Sequence, residues 1–391
     1  MDNHAALKAW GETVRKYMPH LSKPQAAVLA LWSFGIVMTK SCGLTSIAAF
    51  LAELLGKKEN TMRQRLREWY REAGAKKGAH GKGVQRQELD VNSCFAPLLK
   101  WVLSWWPAEE RRLALALDAS TLGARFVVLA ISVIYRGCAI PVAWALLPAN
   151  QRGAWKPQWL SLLKHLRGSV PADWTVLVLA DRGLYARWLY DQIVRLHWHP
   201  FLRINQQGWF RPASAQSFLP LATLLTSPGE TWSGRVVCFK AMPLACTLLA
   251  QWDELHTDPW LILTDLTPEQ AQVCWYSLRF WIECGFKDHK RGGWQWQQTR
   301  ITDPARSSRF WLAMALASLW VLSVGGEAET SLPASTLSEL PESHIARRRA
   351  TRRSQPRLLS CFRRGMLSIF AQLINGHPLP LGRFLPEPWP S

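Results

Sequence analysis

The sequence predicts a mixed α/β protein in which a helical N-terminal region precedes a sheet flanked by helices. Residues 1–110 carry apolar runs of helical length, bounded by capping residues and glycines. Short, fully apolar runs at 113–117 and 175–180 indicate strands of a sheet that is covered on both faces. Two apolar, β-branched stretches, Phe126–Tyr135 and Cys138–Leu147, flank an Arg-Gly pair and indicate a hairpin.

Composition limits the partner and the compartment. The chain has 391 residues and a formal net charge of +19, which favours a polyanionic partner, most simply nucleic acid or an anionic membrane. The alternative is a ribosome-associated or merely basic protein. Its eight cysteines form no C-x-x-C pair, so a reducing cytoplasm fits and a zinc site is not expected. Residues 1–16 are polar, and no apolar run reaches the roughly 20 residues of a membrane span. We therefore expect a cytoplasmic protein, associated with the nucleoid through DNA and without a membrane partner.

The N-terminal region contains a candidate DNA-binding hairpin. Leu44–Leu55 is predicted to be a helix that stops at Gly56, and Met62–Arg71 to be a basic helix after a short loop. This arrangement resembles a helix-turn-helix whose second helix presents candidate DNA contacts: Arg63, Arg65 and Arg67. A purely structural hairpin is the alternative. The stretch 74–83, rich in glycine and lysine, is predicted to be a basic loop that follows phosphates.

Two of the predicted strands each end in an aspartate. Asp118 follows the run 113–117, and Asp181 follows the run 175–180. If these strands are parallel neighbours, both side chains lie at the carboxyl edge of the sheet, where open α/β sheets place their sites. Two carboxylates so close repel one another unless they share a divalent cation. The alternative is that each aspartate only ends a strand or caps the next helix.

A central helix is predicted from Thr267 to Lys290. Thr267 and Gln270 form a capping box, with Pro268 at the first helical position. At 100° per residue, one stripe about 60° wide carries four polar residues: Tyr276, Arg279, Glu283 and Lys290. A carboxylate among cations suits a site that handles both a metal and phosphates. The alternative is a surface helix with i,i+4 ion pairs.

The chain on either side of this helix has three further features. Turn signals and short apolar runs predict a β-rich insertion at 205–266. Phe310–Val324 is apolar and is predicted to be a helix packed under the sheet. Eight arginines lie between Arg347 and Arg364, in a segment that binds phosphates, contacts a second protomer or stays disordered. The last residues, rich in proline, are predicted to be extended.

A known signature lies within the central helix. The stretch YSLRFWIECGFKDHK has the spacing Tyr-x2-Arg-x3-Glu-x6-Lys. It matches the YREK signature of a large group of bacterial insertion-sequence transposases, and the chain resembles this family of DDE enzymes. LALALDAST and VLVLADRG are similar to the two aspartate strands of the family, and a largely β insertion before the glutamate is also a family feature. The resemblance covers about residues 113–325.

The resemblance implies an RNase H-like core and a metal-dependent reaction on DNA. Asp118, Asp181 and Glu283 would be the catalytic triad and the metal ligands, because carboxylate oxygens suit Mg²⁺, for which Mn²⁺ can substitute. Two such ions would support cleavage at transposon ends and strand transfer into target DNA. Three signature residues would bind phosphate near the cleaved end: Tyr276, Arg279 and Lys290.

The resemblance also implies partners and domain roles. Transposon ends and target DNA are the expected partners, and a homodimer is expected in the DNA complex because two ends must meet. Four tryptophans are candidates for stacking a flipped base: Trp209, Trp232, Trp252 and Trp260. Arg182 either holds a phosphate or pairs with a carboxylate. The expected domains are a helical DNA-binding region at 1–110, an RNase H-like catalytic domain at 111–325, and a linker with an arginine-rich segment at 326–391.

Three functions fit these features. The first is an active DDE transposase. The second is a catalytically inactive DNA-binding protein derived from a transposase, which would bind DNA without metal-dependent cleavage. The third is an RNase H-like DNA nuclease that cleaves but never joins ends. All three predict phosphate-driven binding that weakens steeply with salt.

Overall fold

The computed structural model describes residues 4–75, 87–151, 153, 155–254, 256–331 and 359–390. In this part of the chain, ten strands form one mixed sheet that is flanked by helices, as the sequence predicts. The strands are β1 (Arg112–Leu122), β2 (Phe126–Tyr135), β3 (Cys138–Pro148), β4 (Thr175–Ala180), β5 (His199–Ile204), β6 (Trp209–Pro212), β7 (Leu219–Pro220), β8 (Thr231–Cys238), β9 (Leu244–Gln251) and β10 (Trp260–Thr264). The helices are α1 (Ala5–Tyr17), α2 (Lys23–Thr39), α3 (Leu44–Leu55), α4 (Glu59–Trp69), α5 (Phe95–Ser104), α6 (Lys156–Leu166), α7 (Arg187–Arg195), α8 (Trp281–His289), α9 (Pro304–Ser331) and α10 (Cys361–Ile374).

The first five strands form one half of the sheet, in the order β3-β2-β1-β4-β5. β2 runs antiparallel to β1 and β3, whereas β4 and β5 run parallel to β1. The predicted hairpin is confirmed, and its turn places Arg136 (φ 45°) and Gly137 (φ 75°) in the left-handed region. Such a turn matches the right-handed twist of the strands that it joins.

The β-rich stretch between β5 and α8 extends this same sheet. β10 pairs with β5, and β9, β8, β6 and β7 follow in that order, all antiparallel to their neighbours. Residues 205–266 are therefore hydrogen-bonded through β10 to the strand that lies beside β4.

Helix α9 is the centre of the hydrophobic core. It packs on β3 on one side and on α1 and α2 on the other, where the Trp320 ring stacks on Trp10 at 4.8 Å. The indole N–H of Trp144 on β3 donates to the carbonyl oxygen of Ser308 (3.1 Å). A helix that is covered on every side must be apolar all round. By length and composition α9 could cross a membrane, as could the bent pair α2 and α3 counted as one span, but 94% of the apolar window of α9 is buried inside the protein.

Two arginines of α9 bind the chain on both sides of residues 76–86. Arg306 donates two hydrogen bonds to the Glu72 carboxylate (2.8 and 2.7 Å) and holds the pKa of Glu72 down at about 2. Arg309, which is buried, donates to the carbonyl oxygen of Tyr70 (2.8 Å) and pairs with Glu88. The N-terminal helices and α9 are thus joined by ion pairs as well as by the core.

The C-terminal residues also pack against α9. Residues 377–390 form neither helix nor strand, and the backbone N–H of Phe384 donates to the carbonyl oxygen of Trp105 (2.9 Å). Arg136, at the hairpin turn, donates to the carbonyl oxygen of Leu385 (2.6 Å) and pairs with Glu329 (3.0 Å). Of the predicted arginine-rich segment, only Arg363 and Arg364 lie within the described residues, on α10. Most of the predicted basic loop 74–83 and of the predicted linker lies outside them.

The crossing of α9 and α10 is very close at Gly365. A Cβ atom on Gly365 would overlap the carbonyl oxygen of Val321, which is backbone and cannot swing away. We therefore expect Gly365→Ala to lower the free energy of unfolding by about 1–3 kcal/mol, the usual range for overpacking, or more. Chemical denaturation measures this change.

Gly74→Ala is the matched control, because nothing lies within 4 Å of a Cβ atom at that position. It should change the free energy of unfolding by less than about 0.5 kcal/mol. Equal effects of the two substitutions would contradict the close crossing.

Candidate active site

Asp118 and Asp181 lie side by side at the carboxyl edge of the sheet. Leu117 of β1 pairs in parallel with Ala180 of β4, so the residues that follow them are neighbours. The pairing that the sequence analysis required is therefore observed. The Asp118 side chain is 19% exposed, and burial raises the pKa of its carboxyl group, although the nearby Arg279 acts in the opposite direction.

The chain that carries the signature is not one α-helix from Thr267 to Lys290, and that prediction was wrong. Residues Val273–Phe280 form a 3-10 helix, and α8 begins only at Trp281. The Gln270 side chain does accept from the backbone N–H of Thr267 (3.2 Å), but Gln272 is extended (φ −120°, ψ 132°) and separates this turn from the helix. The following residues are largely aromatic or β-branched, with modest preference for the α-helix, so tertiary packing determines the winding.

The tighter winding still aligns two of the signature residues. Residues three apart share one face of a 3-10 helix, which brings Tyr276 and Arg279 together. Glu283 follows four residues after Arg279, at the spacing of an ion pair across the junction with α8. Three members of the predicted polar stripe therefore remain close.

Arg279 contacts all three acids. Its Nη2 atom lies 3.0 Å from Asp118 Oδ2 and 3.7 Å from Asp181 Oδ2, and its Nη1 atom lies 3.0 Å from Glu283 Oε1. The Arg279 side chain is only 7% exposed. Burial alone would lower the pKa of Arg279, but the surrounding carboxylates outweigh burial and raise it. Three acids from three separate elements thus share one buried cation.

Lys290 joins the end of α8 to β1. Its Nζ atom donates to Ser120 Oγ (2.7 Å) and to the carbonyl oxygen of Thr121 (2.8 Å), two and three residues beyond Asp118. Burial lowers the pKa of this amine. Lys290 therefore fixes the end of the strand that carries Asp118, and it lies at the site without pairing directly with the acids.

The structure adds Arg203, which the sequence analysis missed. Leu202 of β5 pairs in parallel with Ala180, so Arg203 is the neighbour of Asp181 on the side away from Asp118. The Tyr276 phenol is buried, which raises its pKa, and Arg203, Asp181 and Asp118 all act on it electrostatically. The sequence by itself shows only an isolated arginine after Asp181, and only the strand order gives it meaning.

The remaining predicted contacts lie in different places. Arg182 follows Asp181 and pairs with Asp258 (3.3 Å), with both side chains about half exposed. Of the four candidate tryptophans, Trp260 packs against Tyr276 with ring centroids 5.2 Å apart. Trp209 is 40% exposed, and Lys240 lies over its ring at 3.4 Å. The other two, Trp232 and Trp252, are partly buried.

The three N-terminal arginines do not join this group. These residues are Arg63, Arg65 and Arg67, and all three lie exposed on α4. This helix packs on α2 and α3 and not on the strands that carry the acids. At 100° per residue, Arg63 and Arg67 are about 40° apart around the helix axis, whereas Arg65 is on another face.

The three carboxylates are of the chemical type that binds a hard divalent cation, but Arg279 occupies the space between them. Three carboxylates offer the oxygens that Mg²⁺ and Mn²⁺ prefer. Within the described residues, however, no three acidic, histidine or cysteine side chains are close enough to hold one ion. The guanidinium separates Glu283 from the aspartates, because each of its two ends binds a different partner.

A family comparison covers part of this site. The family model of the transposase DDE domain matches residues 142–320, which is less than half of the chain. The matched residues include Asp181, Arg279, Glu283 and Lys290 and begin after Asp118. The assignment of Asp118 to the same site therefore depends on the pairing of β1 with β4 and on the contact with Arg279.

Other comparisons add little. Among solved structures, the chain is similar to the piggyBac transposase in its synaptic complex with hairpin DNA, determined by cryo-EM. The identity is 11%, the match covers 83% of this chain and 78% of the other, and the TM-score is 0.34, too low for this likeness to carry an argument. No curated protein matches this chain.

A half-buried and a fully buried titratable residue lie near the end of α8. Burial raises the pKa of Asp288 to about 7 and lowers the pKa of the fully buried His289 to about 4. The folded state therefore binds the Asp288 proton more tightly than the unfolded state, and the opposite holds for His289. As the pH rises from about 4 to about 7, Asp288 reduces stability, whereas His289 increases stability up to about pH 6.5.

We expect Asp288→Asn to remove the cost of ionising this group in the folded state. Its gain in unfolding free energy over the wild type should grow between about pH 4 and pH 7, by at most about 1.4 kcal/mol per pH unit, and then stay constant. Denaturant titrations across this range measure the difference. A gain that does not depend on pH would contradict the raised pKa.

Proposed function

We propose that the protein is a DDE transposase that cleaves DNA at transposon ends and transfers the cleaved strand to target DNA. The observation that carries this proposal is the convergence of Asp118, Asp181 and Glu283 on Arg279 at the carboxyl edge of a mixed sheet. The match to the transposase DDE domain supports it, since that match includes two of the three acids.

In this proposal, β1 to β5 form an RNase H-like core, and β6 to β10 form the insertion before the third acid. The strand order β3-β2-β1-β4-β5, with β2 alone reversed, supports this view. The signature, including Tyr276 and Lys290, supports placement in the YREK group of insertion-sequence transposases.

Asp118, Asp181 and Glu283 would hold two Mg²⁺ ions, or Mn²⁺ in their place. When bound, such ions activate a water or a 3′-OH group and stabilise the leaving oxygen of an in-line displacement. The acids are well suited because they end in hard oxygens on separate rigid elements.

The neighbouring side chains would bind the DNA backbone. The Tyr276 phenol is buried beside Arg279, so its hydroxyl would donate to a phosphate oxygen only after the site rearranges. Arg203 is the neighbour of Asp181 in the sheet and Arg182 is its neighbour in the chain, so both add positive charge near Asp181. Lys290 holds the end of β1 and supplies a further ammonium group beside it. Charge-assisted hydrogen bonds of this kind position a phosphate firmly.

The expected partners are transposon ends and target DNA, engaged by a homodimer in the cytoplasm. The net charge of +19 supports a polyanionic partner. The exposed arginines of α4 are the proposed contacts with DNA outside the acidic site.

The acidic triad can be tested with amide substitutions, which keep the shape and remove the charge. Asp118→Asn, Asp181→Asn and Glu283→Gln should each lower Mg²⁺-dependent cleavage of a duplex carrying the element's own end by more than about 100-fold. DNA affinity should change little. Gel analysis of nicked, hairpin and joined products measures this outcome.

Asp191→Asn is the matched control, because Asp191 pairs with Arg187 on α7, outside the acidic cluster. It should cleave like the wild type. Cleavage by all three triad variants would reject the assignment. Cleavage without joined products in the wild type would favour a nuclease, and DNA binding with no cleavage in either metal would favour an inactive derivative.

The salt dependence of binding tests the role of α4. The slope of log affinity against log salt concentration is negative. Removal of one side-chain cation that binds a DNA phosphate should reduce the magnitude of this slope by about 0.9. We expect Arg63→Gln with Arg67→Gln to reduce the slope by about 1.8, because both residues share one exposed face. Fluorescence anisotropy with a labelled duplex measures the slope.

Arg15→Gln on α1 is the control, since it removes an exposed arginine from another helix. A reduction in Arg15→Gln of about half that in the double variant, the same per removed charge, would mean that the charge of the chain, and not α4, determines binding.

A further inference from the structure

The signature arginine, Arg279, makes contacts that leave none of its charge free for DNA. Its two terminal nitrogens bind Asp118 and Glu283 at 3.0 Å each, and Asp181 lies 3.7 Å away. Its Nε atom is buried and has no hydrogen-bond partner among the described residues. In this arrangement the guanidinium faces the acids, and a phosphate cannot reach it without moving it.

The charges around Arg279 do not balance. Three carboxylates face one guanidinium, which leaves an excess of two negative charges in a partly buried space when all three are ionised. The side chains of Asp181 and Glu283 are 38% and 59% exposed, so the excess is most costly at Asp118, which is 19% exposed and has the lowest surrounding dielectric. The three carboxylates therefore attract additional cations.

A divalent cation would compete with Arg279 for the same oxygen atoms. Mg²⁺ binds oxygen at about 2.0–2.1 Å and needs its ligands close together. No three such ligands are close enough within the described residues while Arg279 lies among them. Binding of the cation therefore requires the guanidinium to move out.

We propose that Arg279 is an exchangeable counter-ion that couples metal binding to DNA binding. Before the metal binds, the guanidinium neutralises part of the triad. Divalent cations take over the carboxylates, and the released guanidinium, with its forked donors, binds a DNA phosphate. This proposal rests on the proposed function, since it assumes that the triad binds the catalytic metal.

Reciprocity follows from this exchange. If metal binding frees Arg279 for phosphate, then DNA that captures Arg279 must tighten metal binding by the same factor. Couplings of this kind change an affinity by roughly 5- to 150-fold. A residue that merely supported the fold would change stability without linking the two ligands.

The test uses the full chain with Arg279→Met and Arg279→Lys. Methionine removes the charge and keeps an unbranched side chain, and lysine keeps the charge but loses the forked donors. Arg309→Met is the control, because Arg309 is also a buried, ion-paired arginine but lies at the junction with Glu88. Isothermal titration calorimetry with Mn²⁺ and thermal unfolding in EDTA or Mn²⁺ are the measurements.

We expect Arg279→Met to bind Mn²⁺ at least about tenfold more tightly than the wild type, because no counter-ion competes. Its melting temperature should fall in EDTA, where the acids repel one another, and recover in Mn²⁺. Arg279→Lys should lie between the two. Arg309→Met should lose the same stability in both solutions and keep the wild-type affinity for Mn²⁺.

Binding to a blunt-ended duplex of arbitrary sequence gives the second measurement. Mn²⁺ should tighten binding to this duplex by about fivefold or more in the wild type but not in Arg279→Met.

Each other outcome counts against the exchange. Unchanged or weaker Mn²⁺ binding by Arg279→Met, with equal loss of stability in both solutions, would make Arg279 structural. If Arg279→Met does not fold, Mn²⁺ binding by Arg279→Lys no tighter than that of the wild type would overturn the exchange. No response to Mn²⁺ in any protein would overturn both the exchange and the metal-dependent function. Tighter Mn²⁺ binding without any DNA cleavage by the wild type would uphold the exchange and reject the transposase.

Discussion

The ion pairs of Arg279 with three carboxylates are the interaction on which the geometry of the site depends. Asp118 and Asp181 come from parallel strands, and Glu283 comes from a helix more than a hundred residues further along. Like charges at this distance would push these elements apart in a low dielectric. The buried guanidinium offsets the repulsion, and the tight winding before α8 carries Arg279 to the sheet edge.

Much of the fold could be predicted because its signals are local. The apolar strands, the Arg-Gly turn and the apolar helix α9 can each be predicted from a few neighbouring residues. All three predictions are confirmed. The pairing of β1 with β4 was only a condition in the sequence analysis, and β1 runs past Asp118 to Leu122 instead of ending there. The helix from Thr267 was wrong because its capping residues form only a turn, whereas Tyr276 and Trp260 pack together and determine the winding beyond it.

The site itself could be predicted only in part. The spacing of the signature identified Tyr276, Arg279 and Glu283 as a group, but not the inward direction of the arginine. Arg203 was missed because its place depends on the register of β5 against β4, which two separated strands do not reveal in sequence. The insertion was recognised as β-rich, but its pairing with β5 through β10 is a long-range property of the same kind.

An acidic cluster of this kind needs a rigid support. Natural sequences violate local consistency mostly at functional sites and compensate elsewhere in the structure. Here the compensation lies in the core around α9, where Gly365 permits a close helix crossing and stacked aromatic rings such as Trp10 and Trp320 fill the space. The acids, by contrast, lie where the buried strands reach the surface, so a cation can enter without opening the core. A site built this way can exchange one counter-ion for another while the sheet that holds it stays unchanged.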